Sequence, residues 1–231
     1  MTDSLVQVAA DVSGCRACPR LVDWREKVAA EKRASYRDWD YWGRGVPALG
    51  VEGARIVVVG LAPAAHGGNR TGRIFTGDRS GDWLYRALWR AGLANQPTST
   101  SIGDGLEVRD TLITAPVKCA PPDNKPLPSE RDTCRPFLQR ELALADPAVY
   151  VALGGFAFGV LCAELGIRPR PKFGHGVEVE VPGGATLLGC YHVSQQNTFT
   201  GKLTEAMLDA VFARARELAD LAPVTAPGTS A

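Results

Sequence analysis

The chain has no long hydrophobic run, and it begins without the pattern of a secretion signal. No apolar stretch approaches the roughly 20 residues that a helix needs to cross a bilayer. The first residues, MTDSLVQVAADVSG, lack a basic segment followed by an apolar one, which is the pattern of a signal peptide. We therefore expect no signal peptide, no membrane anchor or membrane partner, and a cytoplasmic location.

The sequence also has almost no net charge and no internal repeat. A formal net charge of +1 excludes a strong overall attraction for polyanions, so a contact with nucleic acid requires a local basic patch. The length of 231 residues and the hydrophobic content of 45% are typical of one globular domain. We expect that domain to cover residues 1–221 and to be monomeric. The Pro/Thr/Ala-rich tail at 222–231 is expected to be disordered.

One stretch, Gly60 to Gly81, reads GLAPAAHGGNRTGRIFTGDRSG and follows a short β-branched run, Arg55–Val59. The run predicts a strand buried on both faces of a parallel sheet, and Ser80–Ala91 predicts a helix. About twenty residues between strand and helix exceed the usual length of such a loop. The loop matches neither G-x-G-x-x-G nor the Walker pattern, which disfavours a nucleotide-binding enzyme. The alternative to a ligand-binding loop is a surface insertion that takes part in no chemistry.

Strands and helices alternate along the rest of the chain, which predicts an α/β fold with a parallel, helix-covered sheet. Strands are predicted at Thr111–Val117, Ala148–Leu153, Val177–Val181 and Thr186–Tyr191, and helices at Ser129–Ala143, Phe156–Leu165 and Leu203–Asp220. Three polar loops follow strands: Leu61–Asp78, Lys118–Pro128 and His192–Lys202. In a parallel sheet all three would open at the same edge, so we expect one site there.

An aromatic segment, Ala34–Leu49, carries Tyr36, Trp39, Tyr41 and Trp42 among charges and glycines. Aromatic side chains interleaved with arginine can stack nucleobases. Rings of this kind more often cover the edge of a core, and we favour that interpretation.

The cysteine spacing indicates a metal site. Four cysteines form a C-x2-C pair and a C-x14-C pair: Cys15, Cys18, Cys119 and Cys134. Four thiolates suit a tetrahedral zinc or a [4Fe–4S] cluster, and the absence of a second C-x2-C favours the cluster. Cys162 and Cys190 fall in a predicted helix and strand, where small buried hydrophobic residues are expected.

Three motifs resemble those of the family 5 uracil-DNA glycosylases. They are GLAPAAHGGNRTGRIFTGD from Gly60, KCAPPDNKP from Lys118, and HVSQQNTFTGK from His192. Ala64 stands where other glycosylase families carry a polar catalytic residue, which marks family 5; Val193 stands where relatives often have proline. The resemblance implies a three-layer αβα sandwich with a central, mostly parallel four-stranded sheet. It also implies a [4Fe–4S] cluster and excision of uracil, hypoxanthine and other deaminated bases from DNA.

A glycosylase must hold an extruded base in a pocket. Phe75 is the candidate stacking platform, its alternative role being a core aromatic. Asn124 can pair with an edge of uracil, although an Asn in a Pro-rich turn is the plainer interpretation of its spacing. His192 is the candidate donor to the base oxygen that gains charge, or else a structural His at a strand end.

Asp78 begins a helix, where the helix dipole favours an ionised carboxylate. An ionised Asp78 suits either stabilisation of the cationic sugar or acceptance of a proton from water. The alternative is that Asp78 only caps the helix. Backbone N–H groups in Gly60–Ala65 are expected to approach the base, with Gly60, Ala62 and Ala64 lining the pocket. The small Ala64 would also leave room for a purine.

DNA contacts are expected from all three loops. The segment Ser194–Phe199 of the third loop is expected to enter the duplex. Within it, the gap left by the flipped nucleotide is expected to be filled by Gln195, Gln196 and Asn197. Candidate phosphate contacts are Arg70, Arg73, Lys118, Lys125, Lys172 and Lys202. The alternative function is a non-catalytic, metal-stabilised DNA-binding module.

Overall fold

The structure, a computed structural model, describes residues 3–221. The predicted tail at 222–231 lies outside the described residues. The strands form one sheet and are β1 (Leu49–Gly50), β2 (Ile56–Val59), β3 (Thr111–Thr114), β4 (Val149–Leu153), β5 (Glu178–Glu180) and β6 (Thr186–Cys190). Their order is β1-β3-β2-β4-β6-β5. The four central strands are parallel, as expected, and β1 and β5 add antiparallel edges.

Eight α-helices accompany the sheet in the described part of the chain. They are α1 (Leu5–Gly14), α2 (Pro19–Glu31), α3 (Gly68–Thr71), α4 (Arg79–Arg90), α5 (Pro128–Ala143), α6 (Gly155–Glu164), α7 (Gln195–Phe199) and α8 (Glu205–Leu218). The helices predicted at α4, α5, α6 and α8 are present, with bounds that differ by one or two residues. Helices α1, α3 and α7 were not predicted, because α3 and α7 are short and α1 buries only Val8 and Val12.

Alternating side chains of the central strands build two cores, one on each face of the sheet. Ile56 and Val58 belong to the core that contains residues of α4 and α8. Val57 and Val59 belong to the core that contains residues of α6. All four side chains are fully buried, which explains why β2 reads as a continuous apolar run.

The loops that follow β2, β3 and β6 leave the same edge of the parallel sheet, as the sequence predicted. The first is the long loop Gly60–Asp78, the second leads to α5, and the third leads through α7 to α8. Among the described helices, none combines the length and the apolar character that a membrane crossing requires.

Candidate active site

A cavity of about 620 Å³ lies where the three loops meet. Its lining comes from all three loops: Leu61, Ala62, Ala64, Phe75, Asp78, Arg79, Ser80, Asp123, Asn124, His192, Ser194, Gln195 and Gln196. Residues more than one hundred positions apart in sequence therefore share one concave site. The predicted base-binding and catalytic side chains are among them, apart from Gly60.

Asp78 caps helix α4 and also faces the cavity. Its Oδ1 accepts a hydrogen bond from the backbone N–H of Gly81 at 3.0 Å. Gly67 lies so close to Oδ2 that a Cβ there would overlap the carboxylate, so only glycine fits. The capping role is therefore real, and it leaves the second carboxylate oxygen outside the cap.

Burial raises the pKa of Asp78 above its ordinary value. Hydrogen bonds from the N–H groups of Gly81 and Ser80 act in the opposite direction, and Asp82 adds to the increase. The helix N-terminus alone predicts a lowered pKa. The direction is reversed because loss of water around the carboxylate outweighs the capping hydrogen bonds.

Phe75 occupies both of the environments proposed for it, the hydrophobic core and the cavity wall. It is 7% exposed, belongs to the core beside α4, and lines the cavity. Its φ of 49° is left-handed, which is rare for a bulky residue and is found where surrounding contacts impose it. A Cβ on Gly60 would lie 2.6 Å from Cζ of Phe75, so glycine permits this ring to reach the cavity wall.

His192 lies opposite Phe75 with ring centroids 6.4 Å apart. Burial lowers the pKa of His192 to about 4, so the imidazole is neutral at pH 7. The backbone is held by Asn197, whose Nδ2 donates to the His192 carbonyl at 2.8 Å, and by the fully buried Val193. Within the described chain, no hydrogen bond engages the imidazole ring itself.

Asn124 reaches the cavity from a short 3₁₀ turn. Its φ of 55° is left-handed, a conformation that Asn tolerates better than most residues. The turn interpretation is therefore correct for its backbone. Its exposed side-chain amide makes no hydrogen bond to any residue that the structure describes, so both the donor and the acceptor are free for a ligand.

Ala62 and Ala64 line the cavity, and Gly60 does not. The N–H of Gly60 donates to the Thr114 carbonyl at 2.8 Å, which extends the pairing between β2 and β3. The prediction that Gly60 contacts the base was therefore wrong, because its only donor belongs to the sheet. The small side chains of Ala62 and Ala64 leave this part of the wall open.

Three predicted phosphate contacts are wrong. Arg70, Arg73 and Lys118 are 3%, 8% and 3% exposed. Arg70 donates to two backbone carbonyls, Arg73 pairs with Asp104 at 2.7 Å, and Lys118 pairs with Glu141 at 2.5 Å. All three cationic groups make their contacts inside the protein, so they are not available to a phosphate. The sequence could not reveal this, because basic residues in a polar loop look exposed.

The other predicted DNA contacts remain available at the surface. Lys125, Lys172 and Lys202 are exposed, and Lys202 lies 5.0 Å from the centre of the Tyr191 ring. Ser194, Gln195 and Gln196 line the cavity beside them. Asn197 differs, because its amide supports His192 and does not line the cavity.

Sequence reasoning missed several residues of the site. The cavity is also lined by Arg79, Ser80, Leu61 and Asp123, each within two positions of a residue that was chosen. Phe199 is 66% exposed, and its ring centre lies 4.3 Å from the guanidinium of Arg79. Phe199 was not missed, since it ends the segment Ser194–Phe199 that was predicted to enter the duplex, and an exposed aromatic ring beside Arg79 is suited to contact bases.

The four cysteines of the predicted metal site line a second, small cavity of about 20 Å³. Nη1 of Arg25 donates to Cys119 Sγ at 2.8 Å, and the N–H of Lys118 donates to Cys134 Sγ at 3.3 Å. Donors of this kind stabilise sulfur that carries negative charge, as at iron–sulfur clusters. Among the described residues, no three His, Cys, Asp or Glu side chains are arranged to hold a single metal ion. The four thiols share this cavity, and the metal site stays a prediction.

Comparison with known proteins gives consistent results. The sequence profile of the Uracil DNA glycosylase superfamily matches residues 47–216. A type-5 uracil-DNA glycosylase of Mycobacterium leprae is 54% identical over 94% of this chain and 97% of its own length. The Thermus thermophilus type-5 enzyme is 50% identical over 91% of this chain and 96% of its own. A type-4 uracil-DNA glycosylase of Thermotoga maritima is 29% identical over 67% of this chain and 65% of its own length.

Proposed function

The chain belongs to the uracil-DNA glycosylase superfamily, and we propose that its large cavity receives a uracil base flipped out of DNA. The protein then hydrolyses the N-glycosidic bond and leaves an abasic site. One observation carries this proposal: Asp78, Asn124 and His192 come from three separate loops and face a single cavity. The names of its type-5 relatives, at 50–55% identity, agree with uracil as the base.

Bond cleavage places positive charge on the sugar and negative charge on the leaving base. Asp78 acts as a carboxylate, either beside the cationic sugar or as acceptor of a proton from the attacking water. Its raised pKa suits the second role, because a stronger base accepts a proton more readily.

The base itself is held by the opposite side of the cavity. Asn124 pairs with an edge of uracil through its free amide. His192 donates to the base oxygen that gains charge, and a neutral imidazole still has one N–H to donate. Phe75 stacks on the base from below. Gln195 and Gln196 occupy the gap in the duplex, and Lys125 and Lys202 bind phosphates.

We extend the base range to hypoxanthine and other deaminated bases. The support is the size of the cavity, about 620 Å³, and the methyl side chain of Ala64 in its wall. A purine needs more width than uracil, and a larger residue at position 64 would remove that width.

We assign a [4Fe–4S] cluster to Cys15, Cys18, Cys119 and Cys134. When bound, the cluster would connect the N-terminal segment to the loop after β3 and to α5, which is a structural task. Arg25 would hold the sulfur of Cys119, and none of the reaction steps above requires the metal. We further propose that the protein acts as a monomer on DNA in the cytoplasm.

The test is a single-turnover excision assay on DNA that carries uracil, hypoxanthine or an ordinary base. Asp78→Asn should lose most excision of every base and still bind DNA. Asp82→Asn, one turn along the same helix and outside the cavity lining, is the matched control and should retain activity. Excision by Asp78→Asn at the wild-type rate would refute the assignment of Asp78. Binding without release of any base would instead favour the non-catalytic module.

A further inference from the structure

We propose that Arg70 is a positioning residue for base excision, held by the aromatic segment so that it fixes the loop that carries Asp78. This inference rests on the proposed role of Asp78. It also gives a function to the aromatic segment, Ala34–Leu49, which the catalytic scheme leaves without one.

The guanidinium of Arg70 connects two distant points of the loop. Nε donates to the His66 carbonyl at 2.8 Å, and Nη2 donates to the Gly77 carbonyl at 2.7 Å. Gly77 directly precedes Asp78, so the second hydrogen bond fixes the backbone from which the carboxylate projects. Gly77 has a φ of 73°, and a Cβ there would overlap Nη2 of Arg70. Only glycine allows this approach.

Two rings of the aromatic segment fix the guanidinium. Cζ of Arg70 lies 4.0 Å from the ring centre of Tyr36 and 4.0 Å from that of Trp39. Both distances are within the range of cation–π contacts. Trp39 is 37% exposed, a high value for a tryptophan that only covers a core edge. Its contact with Arg70 gives this exposed ring a role at that position.

The backbone of the same segment is bonded to the loop around Arg70. The N–H of Trp42 donates to the Arg70 carbonyl at 3.0 Å, and the N–H of Gly43 donates to the Asn69 carbonyl at 3.0 Å. The Tyr41 hydroxyl lies 3.1 Å from Nδ1 of His66. The segment therefore holds the loop at His66, Asn69 and Arg70, and the Arg70 side chain connects these contacts to Gly77.

Arg70 is a buried cation without a salt bridge in the described part of the chain, and Asp78 lies within reach of its charge. No carboxylate of the described residues pairs with it, and its Nη1 is buried without a hydrogen bond to any of them. Around Asp78, the other ionisable or polar groups are Asp82, Tyr85, Arg79 and His192. Arg70 lowers the pKa of Asp78, against the larger effect of burial. Arg73, in the same loop, is neutralised by Asp104 and serves as the matched control.

The experiment compares single-turnover uracil excision across pH for wild type, Arg70→Met, Arg70→Lys, Arg73→Lys and Asp78→Asn. Arg70→Met should lower the rate by about 10²-fold, because small misplacements of a catalytic group have effects of that size. It should also move the acidic limb of the pH profile upward, since the loss of a nearby cation raises the pKa of a carboxylate. Arg70→Lys should lose rate without that shift, because it keeps the charge and loses the two-pronged geometry. Arg73→Lys should leave the acidic limb of the pH profile at its wild-type position.

The outcomes distinguish the role proposed for Arg70 from the role proposed for Asp78. A folded Arg70→Met that keeps the wild-type rate and acidic limb overturns the positioning role. If Asp78→Asn itself excises uracil normally, the proposed role of Asp78 fails instead. If Arg70→Met does not fold, Trp39→Leu replaces it, since it removes one ring and leaves every hydrogen bond of Arg70. That variant should lose about tenfold in rate, and an unchanged rate would overturn the inference.

Discussion

The rings of Phe75 and His192 face each other with centroids 6.4 Å apart and planes inclined by 42°. Phe75 comes from the loop after β2 and His192 from the end of β6, so the sheet is what brings them together. One ring is a rigid apolar surface, and the other is a neutral hydrogen-bond donor. The five predictions that follow test this arrangement and the structure that supports it.

His192 should act without changing its protonation state. Burial lowers the pKa of His192 to about 4, so the excision rate should show no inflection from this residue above about pH 5. His192→Ala should lower the single-turnover rate by about 10²-fold, because one donor to the developing negative charge is lost. Titration of the three histidine rings by NMR checks the pKa directly. A His192 pKa near 6.5 would contradict the neutral-donor assignment.

Ala64 should set the upper size of the base. Ala64→Val adds two methyl groups to the cavity wall and should lower hypoxanthine excision by at least about tenfold relative to uracil. The measurement is the ratio of the two single-turnover rates. An equal loss on both bases would indicate a general distortion of the loop, and the size argument would then fail.

Cys134 should be required for a brown, iron-containing protein. Cys134→Ser removes one of the four proposed ligands and should lower iron and sulfide content together. Cys162→Ser is the control, since Cys162 is equally free and buried but lies in α6. Zinc in the purified wild-type protein, with no iron, would reject the cluster assignment.

The ion pair of Arg73 and Asp104 should stabilise the folded protein to an extent that depends on pH. Burial tends to raise the pKa of Asp104, but Arg73 and the N–H groups of Thr100, Leu106 and Ser101 lower it well below its ordinary value. A carboxylate with a lowered folded pKa stabilises the protein above its unfolded pKa and loses this effect as the pH falls through the folded value.

Asp104→Asn should therefore be less stable than wild type by about 3 kcal/mol near neutral pH, as expected for a broken buried pair. The difference in thermal midpoint should stay constant between about pH 7 and pH 4 and narrow only below about pH 4. A difference that already narrows between pH 7 and pH 5 would show that another group is responsible.

Lys125 and Lys202 should account for part of the salt dependence of DNA binding. Each neutralised phosphate contributes about 0.9 to the slope of log affinity against log salt. Lys125→Gln and Lys202→Gln should each lower that slope by about this amount, measured on DNA with an uncleavable uridine analogue. Lys27→Gln, on α2 and paired with Glu31, should leave it unchanged. Equal slopes for all four proteins would exclude the two lysines as phosphate contacts.

Local patterns in the sequence were sufficient for most of the fold. The β-branched run at β2 and the helical patterns at α4, α5, α6 and α8 predicted their elements to within one or two residues, whereas β3 ends three residues earlier than predicted, at Thr114. These elements are specified by the spacing of apolar residues and by the residues at their ends, which are local features of the sequence. The short helices α3 and α7 were missed because four or five residues show no period.

The order of amino acids alone specifies which chemical groups are present and which strand each loop follows. The parallel order of those strands then made the convergence of Asp78, Asn124 and His192 foreseeable. The exposure and the pKa of each group, in contrast, depend on how the chain is folded. Arg70 and Arg73 were expected at the surface and are buried, and the pKa of Asp78 is raised where a helix N-terminus predicts the reverse. Burial and the charges facing a side chain depend on distant parts of the chain, so no local pattern contains them.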